Sequence, residues 1–109
     1  MLHASLVSGR WSTLTLGEQL GNVGSDFERA IRWKQKKQLK LFSSAMARTL
    51  ELIDLTLADK RWHNHRLQEL TRLREEICKE LFASQINNQS IHSLQSYFLS
   101  MAKLQRNNQ

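Results

Sequence analysis

The side chains best suited to chemistry are four histidines, one cysteine and a set of carboxylates. His63 and His65 form a His-x-His pair around Asn64, while His3 and His92 stand far from it. No His-Glu-x-x-His or Cys-x-x-Cys occurs, so metal ligation is not expected and no cofactor is implied. The pair reads instead as hydrogen-bond donors on a basic loop. Cys78 lies between Ile77 and Leu81 in a helical pattern and reads as a buried thiol; a lone cysteine excludes an internal disulfide. Glu69, Glu75, Glu76 and Glu80 alternate with Arg72, Arg74 and Lys79, with Arg72/Glu76 and Glu75/Lys79 at helix-neighbour spacing. That is the pattern of a solvated helix face. General acid–base catalysis needs a perturbed pair in a cleft. Neither such a pair, a Gly-rich phosphate loop nor a Ser-His-Asp arrangement is suggested, and the expectation is a protein that binds rather than catalyses.

The cations say more. Arg29, Arg32, Lys34, Lys36, Lys37 and Lys40 fall within twelve residues around Trp33, with no acid after Glu28. A second group, Lys60, Arg61, His63, His65 and Arg66, surrounds Trp62. Basic residues with an interleaved aromatic suit phosphate contacts plus base stacking. The plainer alternative is that both tryptophans pack on the ends of the fold and the lysines are merely solvated. A formal net charge of +6 favours an anionic partner: nucleic acid, an acidic protein or a membrane surface.

Four helices are expected to position these groups. Proline is absent, glycine occurs four times, and good helix formers dominate. Residues 1–14 are Ser-rich without periodicity and read as an arm, anchored through Trp11 and Leu14. Thr15 and Glu18 form a capping box, and Leu16, Leu20, Val23, Phe27 and Ile31 give the first apolar stripe. Gly17, Gly21 and Gly24 lie on an adjoining face, where another backbone is expected to approach closely. Residues 34–40 form a short turn or a continuation of the first helix. A second helix over 39–58 carries Phe42, Met46, Leu50, Ile53 and Leu57, widened by Leu39, Ala45, Leu52 and Leu55. As the most hydrophobic helix, it is expected to be the most buried. A third, over 65–83, carries Leu67, Leu70, Leu73, Ile77 and Leu81. After a loop over 84–90, a fourth runs from Ser90, its expected N-cap, to about 105 with Ile91, Leu94, Phe98, Met101 and Leu104; Arg106–Gln109 should fray. The expected fold is all-α: an up-down-up-down antiparallel four-helix bundle over 15–106 with a short N-terminal arm. In such a bundle the two basic groups occupy opposite poles, and a continuous basic groove would need an oligomer.

A chain of 109 residues holds one small core with little stability in reserve. The opening residues show no charged region followed by an apolar run, and no apolar run approaches the ~20 residues of a membrane span. A reducing cytoplasm is the expected compartment.

Small helical bundles include HEPN-type ribonuclease toxins, marked by an Arg and a His at a set spacing. The three residues between Arg61 and His65 fall short of it, and Trp62 stands where a polar residue belongs. A component of a toxin–antitoxin pair, either ribonuclease-like or its helical partner, is the alternative reading. Residues 16–34 (LGEQLGNVGSDFERAIRWK), 50–59 (LELIDLTLAD) and 70–78 (LTRLREEIC) resemble a group of short bacterial and archaeal proteins. These are four-helix proteins of the 23S rRNA intervening-sequence group, which includes the accessory variability determinant of diversity-generating retroelements. The resemblance implies a ring-like homo-oligomer, a pentamer, of basic subunits that binds a reverse transcriptase and its template RNA without chemistry of its own. It supplies no catalytic residues. The two basic clusters would be the surfaces facing RNA and polymerase.

Overall fold

The computed structural model describes residues 9–107, with side chains through Lys103. Helix α1 spans Leu16–Gln35, α2 Leu39–Ala58, α3 His65–Phe82 and α4 Asn88–Asn107, with 3-10 turns at Trp11–Thr13 and Lys60–Trp62. All regular structure among the described residues is helical. The capping box forms as its residues predict: Glu18 N–H donates to Thr15 Oγ1 at 3.1 Å, and Thr15 N–H donates to Glu18 Oε1 at 2.9 Å.

Helix α1 is the central element, packed chiefly on α2 and α4, with α3 closing the far side. Its stripe of Leu16, Leu20, Val23, Phe27 and Ile31 is buried throughout. Phe27 meets Phe98 of α4 with ring centroids 6.1 Å apart. Of the N-terminal arm, residues 1–8 lie outside the described residues. Trp11 is buried, and Leu14 packs against the core.

The expectation for α2 is overturned. Nine residues of α1 are buried against five of α2, although α2 is the more apolar. The buried line on α2 is Ala45, Thr49, Leu52, Ile53 and Thr56. Small side chains let α1 approach, and the hydroxyls of Thr49 and Thr56 are satisfied by the carbonyls of Ala45 and Leu52 one turn back. The larger Phe42, Met46, Leu50 and Leu57 sit half-buried on the flanks, and Leu39 and Leu41 are exposed. In α3, Leu67 is exposed rather than core, Cys78 is half-buried beside the Arg74 guanidinium, and Glu80, expected on the solvated face, is buried. Ion pairing on this helix joins Arg66 to Glu69 and Arg74 to Asp54 of α2. Helix α4 begins two residues earlier than expected. Asn87 is the capping side chain, its Oδ1 accepting from Ser90 N–H at 3.0 Å, so Ser90 lies inside the helix. The helix continues through Arg106 and Asn107, where fraying was expected; the Leu104 side chain and residues 108–109 lie outside the described region.

The glycines of α1 leave the helix unbroken. No backbone approaches at two of them: Gly21 faces open space, and Gly24 lies under the Phe98 side chain, where an added Cβ would come within 2.8 Å of Phe98 Cγ. Gly21→Ala should therefore raise stability by up to about 1 kcal/mol through helix propensity. Gly24→Ala should lower it by about 1–2 kcal/mol through overpacking. Urea denaturation of the two variants checks both signs.

Candidate nucleic-acid interface

The first basic cluster surrounds the end of α1. Lys36 caps the helix, Lys37 N–H donates to Lys34 O, and Gln38 N–H donates to Trp33 O at 3.0 Å, which together form a Schellman turn. The residue this motif places in the left-handed region is Lys37, with φ 57°. Glycine or asparagine is the usual occupant, because a Cβ there crowds the following carbonyl. Helix α2 then starts with no side-chain cap and no acid in its first turn.

Lys34 is a structural cation. Its Nζ donates to the carbonyls of Glu80, Leu81 and Ala83 at 2.8, 3.2 and 2.6 Å, satisfying the last turn of α3. Burial lowers its pKa, and the charge of Glu80 works against that shift. Glu80 Oε1 is buried and accepts no hydrogen bond among the described residues. Arg29 is held by buried Asp26 at 2.9 Å, and Arg48 approaches the same carboxylate at 3.7 Å. Trp33 is half-buried against the core, with Lys36 Nζ 5.7 Å from its ring centroid. Arg32, Lys36, Lys37 and Lys40 are exposed, with no ion pair among the described residues.

The second cluster is tied into a polar network that charge and spacing alone did not reveal. Gln19, fully buried on α1, donates through Nε2 to Trp11 O at 2.8 Å and to Asp59 Oδ2 at 3.0 Å. Its Oε1 accepts from Trp62 Nε1 at 2.8 Å. Trp11 Nε1 donates to Thr56 Oγ1 at 3.2 Å. Arg61 clasps Asp59 through Nε and Nη2, donates to Leu14 O at 2.6 Å, and lies over Trp62 with Cζ 4.6 Å from the ring centroid. The His63 ring faces Leu57 O through Nε2 at 2.8 Å; a carbonyl only accepts, so that nitrogen carries the proton. Arg66 pairs with Glu69. Lys60 and His65 remain exposed. A polar residue spaced like Gln19 among the core positions of α1 was the one legible signal of this network.

The two clusters lie at opposite ends. Lys34 joins the end of α1 to the end of α3, whereas Arg61 and Gln19 join the end of α2 to the start of α1. A third feature is a groove of about 640 Å³ between α3 and α4, lined by His65, Glu69, Arg72, Glu76, Ser93 and Tyr97 among others. It carries both signs of charge. The Tyr97 hydroxyl donates to Glu69 Oε1 at 2.6 Å, and burial, reinforced by that bond, raises its pKa. Among the described residues no group of three or more His, Cys, Asp or Glu is placed to hold a metal, and no helix is long and apolar enough to cross a membrane.

Hydrogen bonds from the Arg61 side chain, with those from Gln19 and the Arg61 backbone, hold the Asp59 carboxyl down at about 2 against the effect of burial. Its folded pKa is below its unfolded one, so the unfolded chain binds the proton more tightly and stability falls as pH drops from about 4 towards 2. Asp59→Asn should lose on the order of 2 kcal/mol at neutral pH and show a weaker acid-side decline; thermal melts between those pH values test it. Lys37→Gly should gain about 1 kcal/mol by relieving the left-handed backbone, measured by the same melts. Comparison with protein-family models, with curated proteins and with solved structures finds no match for this chain.

Proposed function

We propose that this chain is a non-enzymatic nucleic-acid-binding accessory protein that contacts RNA through the turn between α1 and α2. The exposed cations of that turn carry the reading. Arg32 in the last turn of α1, Lys36 and Lys37 in the turn and Lys40 at the start of α2 are exposed, and no acid occurs between Glu28 and Glu51. The uncapped start of α2 adds unsatisfied N–H groups at the same place. Lys37 supports the reading independently: a cation stands in a backbone conformation where glycine would be more stable.

The second pole contributes less to the proposed surface, because Arg61, Trp62, His63 and Arg66 already have partners in the fold. Engagement of Arg61 by Asp59 and Leu14 also favours binding over the ribonuclease alternative, which would need that guanidinium at a substrate. The end-to-end ties of α1 with α2 and α3 support an up-down-up-down order. The half-exposed apolar flank of α2 supports assembly of several copies. Through the resemblance of α1, α2 and α3 to the retroelement accessory group, the proposal extends to a pentameric, cytoplasmic partner of a reverse transcriptase and its template RNA.

Replacing Arg32, Lys36, Lys37 and Lys40 together by Gln should weaken RNA binding and reduce the slope of log K against log salt by about 3, with the helical circular dichroism unchanged. An unaltered slope in filter binding overturns the assignment of this surface. RNA cleavage lost in His65→Ala would instead support the toxin reading.

A further inference from the structure

Five large apolar side chains are exposed among the described residues, and three of them, Leu39, Leu41 and Phe82, belong to the pole that carries the free lysines. Phe82 is the last residue of α3 and is 64% exposed; Leu39 opens α2 at 77%. Their proximity follows from Lys34. Its ammonium bridges the carbonyls of Leu81 and Ala83 on either side of Phe82, and also lies 5.9 Å from the Phe42 ring centroid, one helical turn from Leu39. Isolated exposed hydrophobics need no explanation. One exposed aromatic ring, with two exposed leucines, at the pole of cations that have no ion pair among the described residues does, because the ring offers a flat apolar face within reach of a charged backbone.

We infer that the nucleic acid bound at this pole is single-stranded, with one unpaired base stacked on Phe82 and the flanking phosphates held by Lys36, Lys37 and Lys40. This rests on the nucleic-acid reading above. A duplex keeps its base faces within the stack and presents only phosphates and groove edges, so it has no use for the Phe82 ring. A single strand presents both charge and base faces, and this end of the molecule meets both. Self-association through the same pole would bring the two lysine clusters together, which like-charge repulsion opposes. Phe82 is 64% exposed at its helix end and lies outside the core cluster, so Phe82→Ala should leave the helical circular dichroism unchanged.

The experiment is fluorescence anisotropy at fixed ionic strength with a labelled single-stranded RNA of about 15 nucleotides and its duplex. The single strand should bind more tightly. Phe82→Ala should weaken it about tenfold while leaving the duplex affinity and the salt slope unchanged, and Phe82→Trp should restore binding. Equal losses on both RNAs, or no loss on either, overturn the stacking role even where the salt slope still supports RNA binding. A single strand bound without salt dependence overturns the lysine–phosphate surface, and no binding of either RNA overturns the wider nucleic-acid reading as well. A Phe82→Ala change in solution mass, or in binding to phosphatidylserine vesicles, with RNA affinity intact would assign the pole to self-association or to a membrane surface and refute the inference.

Discussion

The last carbonyls of α3 need a donor, and Lys34 supplies it. Helix α3 ends at Phe82 with no glycine or proline to close it, so its final backbone oxygens face the bundle without an intrahelical partner. One ammonium from α1 satisfies two of them, on Glu80 and Leu81, together with the carbonyl of Ala83 just beyond the helix. Hydrogen bonds of this charge-assisted kind are each worth about 1.5–3 kcal/mol when buried, more than neutral ones. The contact fixes how far α1 and α3 slide past each other. The Schellman turn, closed by its own backbone bonds, follows directly after Lys34 and carries Lys36 and Lys37.

The other end of α1 is governed by a second polar residue. Gln19 saturates both ends of its amide with Trp11, Asp59 and Trp62, and Asp59 in turn holds Arg61 over the Trp62 ring. A buried amide is tolerated only when fully bonded. Trp62 and Arg61 therefore act as structural closures at that pole, although their types and spacing resemble those of a binding cluster. Charge in sequence and charge available at the surface are thus different quantities. Lys34 and Arg61 lie inside the molecule's own hydrogen-bonding economy, and Arg29 is drawn to Asp26, which leaves Arg32, Lys36, Lys37 and Lys40 facing outward as the principal free group.

Helix α2 shows why hydropathy alone misjudges burial. Close packing on α1 selects for small side chains at the contact, so Ala45, Thr49 and Thr56 occupy the inner line and the bulkier Phe42, Met46 and Leu50 are displaced to its edges. Ala45, Leu52 and Ile53 of the expected apolar set lie on the inner line, while its largest members sit half-buried to one side of the closest contact.

Helix count, the extent of α2, the start of α1 and most core positions of α1, α3 and α4 were legible in the sequence, because 3.6-residue periodicity and the Thr15–Glu18 box are local properties of consecutive residues. Both basic clusters were legible for the same reason. Arg29, Arg61 and Arg66 find acids two or three residues away, but the role of Lys34 was decided only by tertiary structure, since the carbonyls it bridges lie 46 to 49 residues away along the chain, as was the bond from Arg61 to Leu14 O. Tertiary contacts alone also buried Glu80, exposed Leu67 and Phe82, and set Phe98 over Gly24. Each of these depends on how close two helices come, a distance that no stretch of consecutive residues encodes.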